Sequence, residues 1–359
     1  MSLTAIIIFS VTIVVSGLFF SYQFLGQGYS DDTTEVLFDV MPGQSMTAVS
    51  KNLEAQKLIK NAQFFQLYAK YTGQNPRLKM GEYALNANMT PQEILVVITS
   101  GKSVMKSLTF PEGVNMFDVA EIISRNGFGA REDILALLKD KEFIKNLIGK
   151  DLESLEGYLF PETYKFTKFE STKTIITQMV RRFQTVWTDL EIDLKMFQQN
   201  YPHRMWNQNQ VVTFASIVEK ETGAPHERNL VSSVFHNRLN QRMRLQTDPT
   251  VLYGVALKNG AMPNNITRAD LRTPTRHNTY TMNGLPPTPI ANPGREALKA
   301  ALNPAKSKFL YFVSQNDGTH RFSESLVAHN AAVKVFQLNP KARQGKSWRD
   351  LNKKQELNK

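Results

Sequence analysis

From Met1 to Ser30 this chain carries no charged side chain, and Leu3 to Leu25 is rich in Ile, Val, Leu and Phe. That length of apolar residues matches one helix across a bilayer, and lipid admits only backbone whose polar groups are satisfied internally. A cleaved secretory signal is the rival reading. Such a signal carries a basic leading segment and a small-residue cleavage site. Here the first Lys or Arg is Lys51, and the nearest approach to a cleavage motif is Gly26-Gln27-Gly28. The sequence therefore predicts an uncleaved anchor over residues 1–30. Charge bias gives no orientation, because no basic residue flanks the short side of the span. With no later apolar span, everything after residue 30 is expected in one aqueous compartment.

Beyond the anchor the chain is long enough for two or three domains, and 42% hydrophobic with 21% charged residues describes a folded protein. The absence of cysteine excludes disulfides, thiolate metal sites and a cysteine nucleophile. Net charge is +11, and seven bases crowd the last twenty residues against Asp350 and Glu356. Residues 341–359 are thus expected to form a solvated basic tail. The remaining excess favours an anionic polymer or membrane headgroups. No zinc-ligand spacing, aromatic-basic RNA motif or Gly-rich phosphate loop accompanies it, so nucleic acid is not the expected partner.

Two segments 70 residues apart resemble each other, Phe38–Leu53 and Leu108–Ile123. Aligning Gly43 on Gly113 brings Met46 onto Met116, Val49 onto Val119 and Leu53 onto Ile123. Each reads as a strand, a Pro/Gly turn and an amphipathic helix. The pattern predicts a first small α+β module over residues 31–105 and a second over 106–171. Thr90-Pro91 to Gly101 has the cap, first-turn proline and terminal glycine of a helix. Apolar positions from Ile175 to Leu194 then repeat at helical spacing, which predicts a connecting helix of roughly Thr172 to Gln199 within 172–205. The last domain is placed at 206–340. It opens with two helices, the second over about Glu227 to Gln241, and continues through polar Pro/Gly-rich loops. A strand pair, Phe309–Ser314 and His320–Phe322, and a helix over about Ser325 to Gln337 close it.

Chemistry concentrates in the first of those helices. Val211 to Val218 leaves almost no polar face, so the helix is expected to be buried, with Gly223 and Pro225 stopping it. Glu219 sits near its C-terminus, where the helix dipole and poor hydration both disfavour ionisation. That is the setting of a general acid near neutral pH, and the alternative is a first solvated residue after a buried helix. The six histidines show no close metal-ligand spacing, and His236 and His329 read as structural or surface residues on amphipathic helices. No G-x-S-x-G elbow is present. What remains is glutamate chemistry in a groove of polar loops and aromatics, as a sugar polymer requires.

Ala215–Thr222, Asn237-Arg238-Leu239, Met243–Gly254, Asn278-Thr279-Tyr280 and Gly284–Pro293 resemble, in order and spacing, the YceG-like (MltG) family of membrane-anchored endolytic murein transglycosylases. The resemblance covers roughly residues 206 to 338. It implies an α+β architecture: an N-terminal transmembrane helix, LysM-like small α+β modules, and a mixed α+β catalytic domain. It further implies a lyase that cuts the β-1,4 bond between N-acetylmuramic acid and N-acetylglucosamine, leaves 1,6-anhydro ends and terminates nascent strands. Glu219 is then the expected catalytic acid and base, with Gln246, Asp248, Asn278 and Tyr280 against the sugars. Glu221, Asn237 and Arg238 are expected to support the site; Asp248 has the competing role of capping a helix that begins at Thr250. Neither cofactor nor metal is expected. The implied partners are peptidoglycan strands, the membrane and the wall-synthesis complex with its penicillin-binding proteins. The implied location is the inner membrane, with the catalytic domain in the periplasm. Two alternatives stay open: a non-catalytic wall-binding scaffold, and a hydrolase using Asp248 or Glu221 as a second carboxylate.

Overall fold

The computed structural model describes residues 23–339. Residues 1–22 of the expected anchor lie outside the described residues, as does the whole of the expected basic tail. Among the described residues no helix is long and apolar enough to cross a membrane. The chain divides into two compact units, one running to Leu108 and including Tyr164–Ser171, the other comprising Thr109–Thr163 and everything from Thr172.

In the first unit the order is β1 (Val36–Val40), α1 (Met46–Ala55), α2 (Ala62–Tyr71), β2 (Gly81–Leu85), α3 (Pro91–Ser100) and β3 (Met105–Thr109). Strands β1 and β2 run antiparallel, with Val36 opposite Leu85 and Val40 opposite Gly81. Alternation along the strands turns Phe38, Val40, Tyr83 and Leu85 to one face, where they meet Val49, Leu53, Phe65, Ile94 and Ile98 in a dry core. Helix α3 starts with a reciprocal Thr90–Glu93 capping box and Pro91 in its first turn, and it stops at Gly101 in the left-handed region at φ +77°. Strand β3 pairs with β4 (Thr163–Thr167). Just after β4, Lys168 reaches Asp39 and Glu82 at 2.8 and 2.9 Å.

The second unit continues with α4 (Met116–Arg125), α5 (Arg131–Leu137), α6 (Lys141–Ile148) and α7 (Thr172–Asn200). The two similar sequence segments share their local geometry. Gly43 and Gly113 take φ of +73° and +77°, conformations glycine adopts without strain. Each is followed two residues later by a capping side chain, Ser45 or Asn115. The matched apolar positions are all buried. Helix α7 buries Ile175, Ile176, Met179, Val180, Phe183, Val186, Trp187 and Leu190 in one stripe, as its periodicity predicts.

Around the prospective site lie α8 (Gln208–Glu221), α9 (Arg228–Asn240), α10 (Asp248–Asn259), α11 (Arg268–Arg272) and α12 (Arg295–Leu302). After them come β5 (Tyr311–Ser314), β6 (His320–Ser323) and α13 (Leu326–Val333). Asn207 and Gln210 form a capping box that starts α8, and every residue from Val211 to Val218 is buried. The helix packs against α12, whose buried Ala297, Ala300 and Ala301 permit close approach. Strands β5 and β6 form the expected hairpin, Tyr311 opposite Ser323 and Ser314 opposite His320. Helix α13 is shorter than its sequence suggests, because residues Lys334–Leu338 widen into a π-turn. Asn292 fixes the loop before α12: its Oδ1 accepts from the amides of Gly157 and Leu159 at 2.9 and 3.0 Å. Its Nδ2 donates to the Val114 carbonyl at 2.9 Å and to Glu156 at 3.1 Å.

Candidate active site

Helix α8 ends on two glutamates separated by one lysine, and at 3.6 residues per turn such positions lie roughly 200° apart around the axis. They accordingly leave the helix on opposite sides. The Glu219 carboxylate accepts from Arg228 Nη2 at 3.2 Å and from the Gly294 amide at 3.0 Å, and its side chain is 5% exposed. Arg228 also reaches Glu112 at 3.1 Å, while Lys220 donates to the Gly113 carbonyl at 3.1 Å. Burial raises the Glu219 pKa, against the opposing pull of the Gly294 amide and Arg228. Glu219 thus ties the end of α8 to the start of α9 and to the turns at residues 112–113 and 294.

Glu221 opens on the other side into a cavity of about 430 Å³, whose walls include Arg238, Gln246, Asp248, Tyr280, Tyr311 and His329. That volume lies in the range of ligand sites. Glu219 does not line it. The Thr247 hydroxyl donates to the Glu221 carboxylate. Burial pushes the Glu221 carboxyl up to about 7; the charge of Asp248 adds to the rise, while Thr247 and Arg238 oppose it. A carboxyl poised there exchanges a proton readily in both directions near neutral pH, as a group that is first acid and then base requires.

The opposite wall is set by the segment from Leu245 to Asp248. Gln246 takes φ +50°, in the left-handed region that costs a non-glycine residue about 1–3 kcal/mol. The kink is held by its amide, which donates to the Thr279 carbonyl at 3.3 Å. It leaves Leu245 buried and Gln246 and Asp248 on the cavity wall. Helix α10 begins at Asp248 with Thr247 as its N-cap, two residues earlier than the expected start at Thr250. Asp248 is therefore free of the capping role and accepts instead from the Tyr280 hydroxyl at 2.6 Å.

The remaining expected site residues serve this wall from behind. Arg238 donates Nε to Leu310 O at 2.7 Å and Nη1 to Leu245 O at 2.6 Å, with its guanidinium 5.4 Å from the Tyr311 ring centre. Asn237 lies off the cavity and donates to the carbonyls of Ser307 and Phe309, each at 3.0 Å. Asn278, expected against the sugars, is fully buried. It donates to Thr273 O at 2.8 Å and accepts from the Tyr280 amide at 2.9 Å, so it shapes the loop that carries Tyr280. Glu221, Arg238, Gln246, Asp248 and Tyr280 are thus gathered, while Glu219, Asn237 and Asn278 are not. Sequence reasoning missed Thr247, Tyr311 and His329 as members of the site. Thr247 lies inside the Met243–Gly254 motif; the other two come from the hairpin and the last helix, where no local signal marks them. Among the described residues no three His, Asp or Glu side chains gather closely enough to hold a metal ion.

A carboxyl held near neutrality at the end of a rigid buried helix, facing a second carboxylate, a phenol, an amide and a guanidinium, defines a site for acid–base chemistry on a polar substrate. The YceG-like family model matches residues 38–335, and the chain belongs to that family. The protein named endolytic murein transglycosylase in Bacillus subtilis (strain 168) is 31% identical over 340 residues, covering 90% of this chain and 91% of its own length. A protein of the same name in Streptococcus pneumoniae (strain R6) is 28% identical over 338 residues, covering 85% of this chain and 59% of its own. The crystal structure of a yceG-like protein from Listeria monocytogenes has a TM-score of 0.55 and 33% identity, covering 84% of this chain and all of that one. The mixed α+β fold is the one this relative shares.

Proposed function

We propose that this chain is an endolytic murein transglycosylase and that Glu221 is its general acid and base. The observation that carries the assignment is the cavity: it receives Glu221, with Gln246, Asp248 and Tyr280 around it, and does not receive Glu219. Protonated Glu221 donates to the oxygen linking N-acetylmuramic acid to N-acetylglucosamine, and the bond to the anomeric carbon breaks. The resulting carboxylate takes the proton of the muramic 6-hydroxyl as that oxygen attacks the same carbon, closing a 1,6-anhydro ring. An attacking group carried by the substrate brings its own proximity, so one carboxyl serves both steps. The Asp248 carboxylate, oriented by Tyr280, faces the positive charge that develops at the anomeric carbon.

Asp248 also supports a second reading. Two carboxylates around one cavity are the equipment of a hydrolase, in which Asp248 would activate water. Mass analysis of isolated glycan strands after incubation with the full-length chain separates the two. Internal cuts with 1,6-anhydro ends, one water lighter than hydrolysed ends, support the transglycosylase; reducing ends carrying solvent oxygen support the hydrolase. Glu221→Gln is expected to remove cleavage and Glu219→Gln to retain it within about tenfold. The reverse pattern in folded variants would return the role to Glu219.

The surroundings of the reaction belong to the same proposal. The uncharged stretch before residue 31 supports a single-pass anchor in the cytoplasmic membrane with the catalytic unit on its outer, wall-facing side. There it would cut strands beside the wall-synthesis machinery and so terminate their growth. The β1-α1-α2-β2 order of the first unit supports a LysM-like module.

A further inference from the structure

Helix α13 is apolar in composition, yet none of its residues is buried. Leu326 is 53% exposed and Val327 81%. Leu326, His329 and Asn330 stand at i, i+3 and i+4, the spacing of one helix face, and all three line the cavity that holds Glu221. The helix is kept beside β5 and β6, and the His329 ring stacks on Tyr311 with centroids 5.2 Å apart. The guanidinium of Arg238 lies against the same Tyr311 ring. His329 Nδ1 is buried and has no hydrogen-bond partner, which is rare for a polar atom out of water. Burial and the nearby Arg238 charge both lower the His329 pKa, so the ring is neutral at pH 7 and offers one donor and one acceptor nitrogen.

We propose that α13 is the saccharide-binding outer wall of the cleft and that the His329 imidazole hydrogen-bonds the bound sugar. The proposal rests on the reading of the cavity as a glycan site. A pyranose ring has apolar C–H faces and a hydroxylated rim, which suits Leu326 beside His329 and Asn330. The arrangement explains why the helix face of Leu326, His329 and Asn330 remains open beside the cavity: its cover is the substrate.

His329→Phe keeps the stack on Tyr311 and removes both ring nitrogens. It is placed in the full-length chain, in mild detergent, on the non-cleaving Glu221→Gln background, and binding of isolated murein glycan strands is measured. About tenfold weaker binding is expected, the loss of roughly one hydrogen bond. Unfolding should require as much urea as before or more, since a buried unpaired nitrogen is gone. His329→Gln, which restores a polar group, should recover most of the affinity and also serves if the Phe variant folds poorly. Unchanged binding by His329→Phe, or an affinity loss matched by lost stability and not rescued by Gln, would overturn the proposal. Strands that bind the Glu221→Gln background but are never cut by the unsubstituted chain would refute the activity while the binding comparison still decides the role of His329. No strand binding by the parent would sink both.

Discussion

Replacing Glu221 with glutamine should remove activity and, at the same time, stabilise the fold at alkaline pH. The folded chain holds this carboxyl at about 7 against an ordinary value of 4.5. Its folded pKa is the higher, so the stability it contributes as a neutral group is fully present below pH 4.5 and is lost as pH rises through 7. At 1.36 kcal/mol per pH unit that preference is worth at most roughly 3 kcal/mol, and partial contact with water reduces it to about 1–3 kcal/mol. Glutamine has nearly the same shape, stays neutral, and keeps an oxygen for the Thr247 hydroxyl. Urea unfolding of the full-length chain and the variant, followed by tryptophan fluorescence between pH 4 and 8, measures the difference. Trp187 and Trp206 are both buried in the unit that carries the site. Glu156, fully buried and pushed up to about 8, gives both proteins a pH dependence of the same sign. It cancels in the comparison, as does Glu219. The variant should gain on the parent from pH 4.5 to about pH 7 and level off by pH 8. A difference that stays flat, or a variant less stable at pH 8, would refute a desolvated acid at this position.

Thr247→Val removes the donor that favours the Glu221 carboxylate while keeping the side-chain shape. The alkaline limb of kcat/KM should rise by roughly half to one pH unit, from a net hydrogen bond of about 0.5–1.5 kcal/mol; an unmoved limb would separate Thr247 from the catalytic group. Asn292→Ala should cost the fold about 3–5 kcal/mol, because it strands the buried amides of Gly157 and Leu159. A loss below about 1 kcal/mol in urea unfolding would contradict that account.

The elements with their own local signals were legible in the sequence. Thr90, Pro91 and Gly101 delimit α3 because cap, first-turn proline and left-handed glycine each satisfy a backbone requirement within a few residues. The stripe from Ile175 to Leu190 identifies α7 because its spacing matches the helix period over many turns. The similarity between the Gly43 and Gly113 segments likewise reflects a local need, a left-handed turn feeding a capped helix. Tyr311 and His329 had no such signal. Their place on the cavity wall depends on how the hairpin and α13 fold back beside α9 and α10, a long-range arrangement with no trace in neighbouring residues. Asn278 misled for a related reason. A buried amide that saturates three carbonyls looks, in sequence, the same as one left free for a sugar.

The two glutamates show most clearly what local reasoning leaves undetermined. Both stand near the C-terminus of one apolar helix, and burial raises the pKa of both, so neither the dipole nor desolvation separates them. Their partners do. Glu219 faces a guanidinium and a backbone amide, so protonating it would leave the half-buried Arg228 with Glu112 as its one carboxylate partner among the described residues. Glu221 faces a hydroxyl, which donates to a carboxylate and equally accepts from a carboxylic acid. A group that must hold a proton, release it to a leaving oxygen and recover one within the same turnover needs a partner that can bond to both states. The Thr247 hydroxyl can, although it favours the carboxylate, whereas a guanidinium bonded directly to the carboxyl offers no acceptor to the acid. That is a chemical reason, independent of the cavity, for Glu221 to carry the reaction and Glu219 to hold the helix end in place.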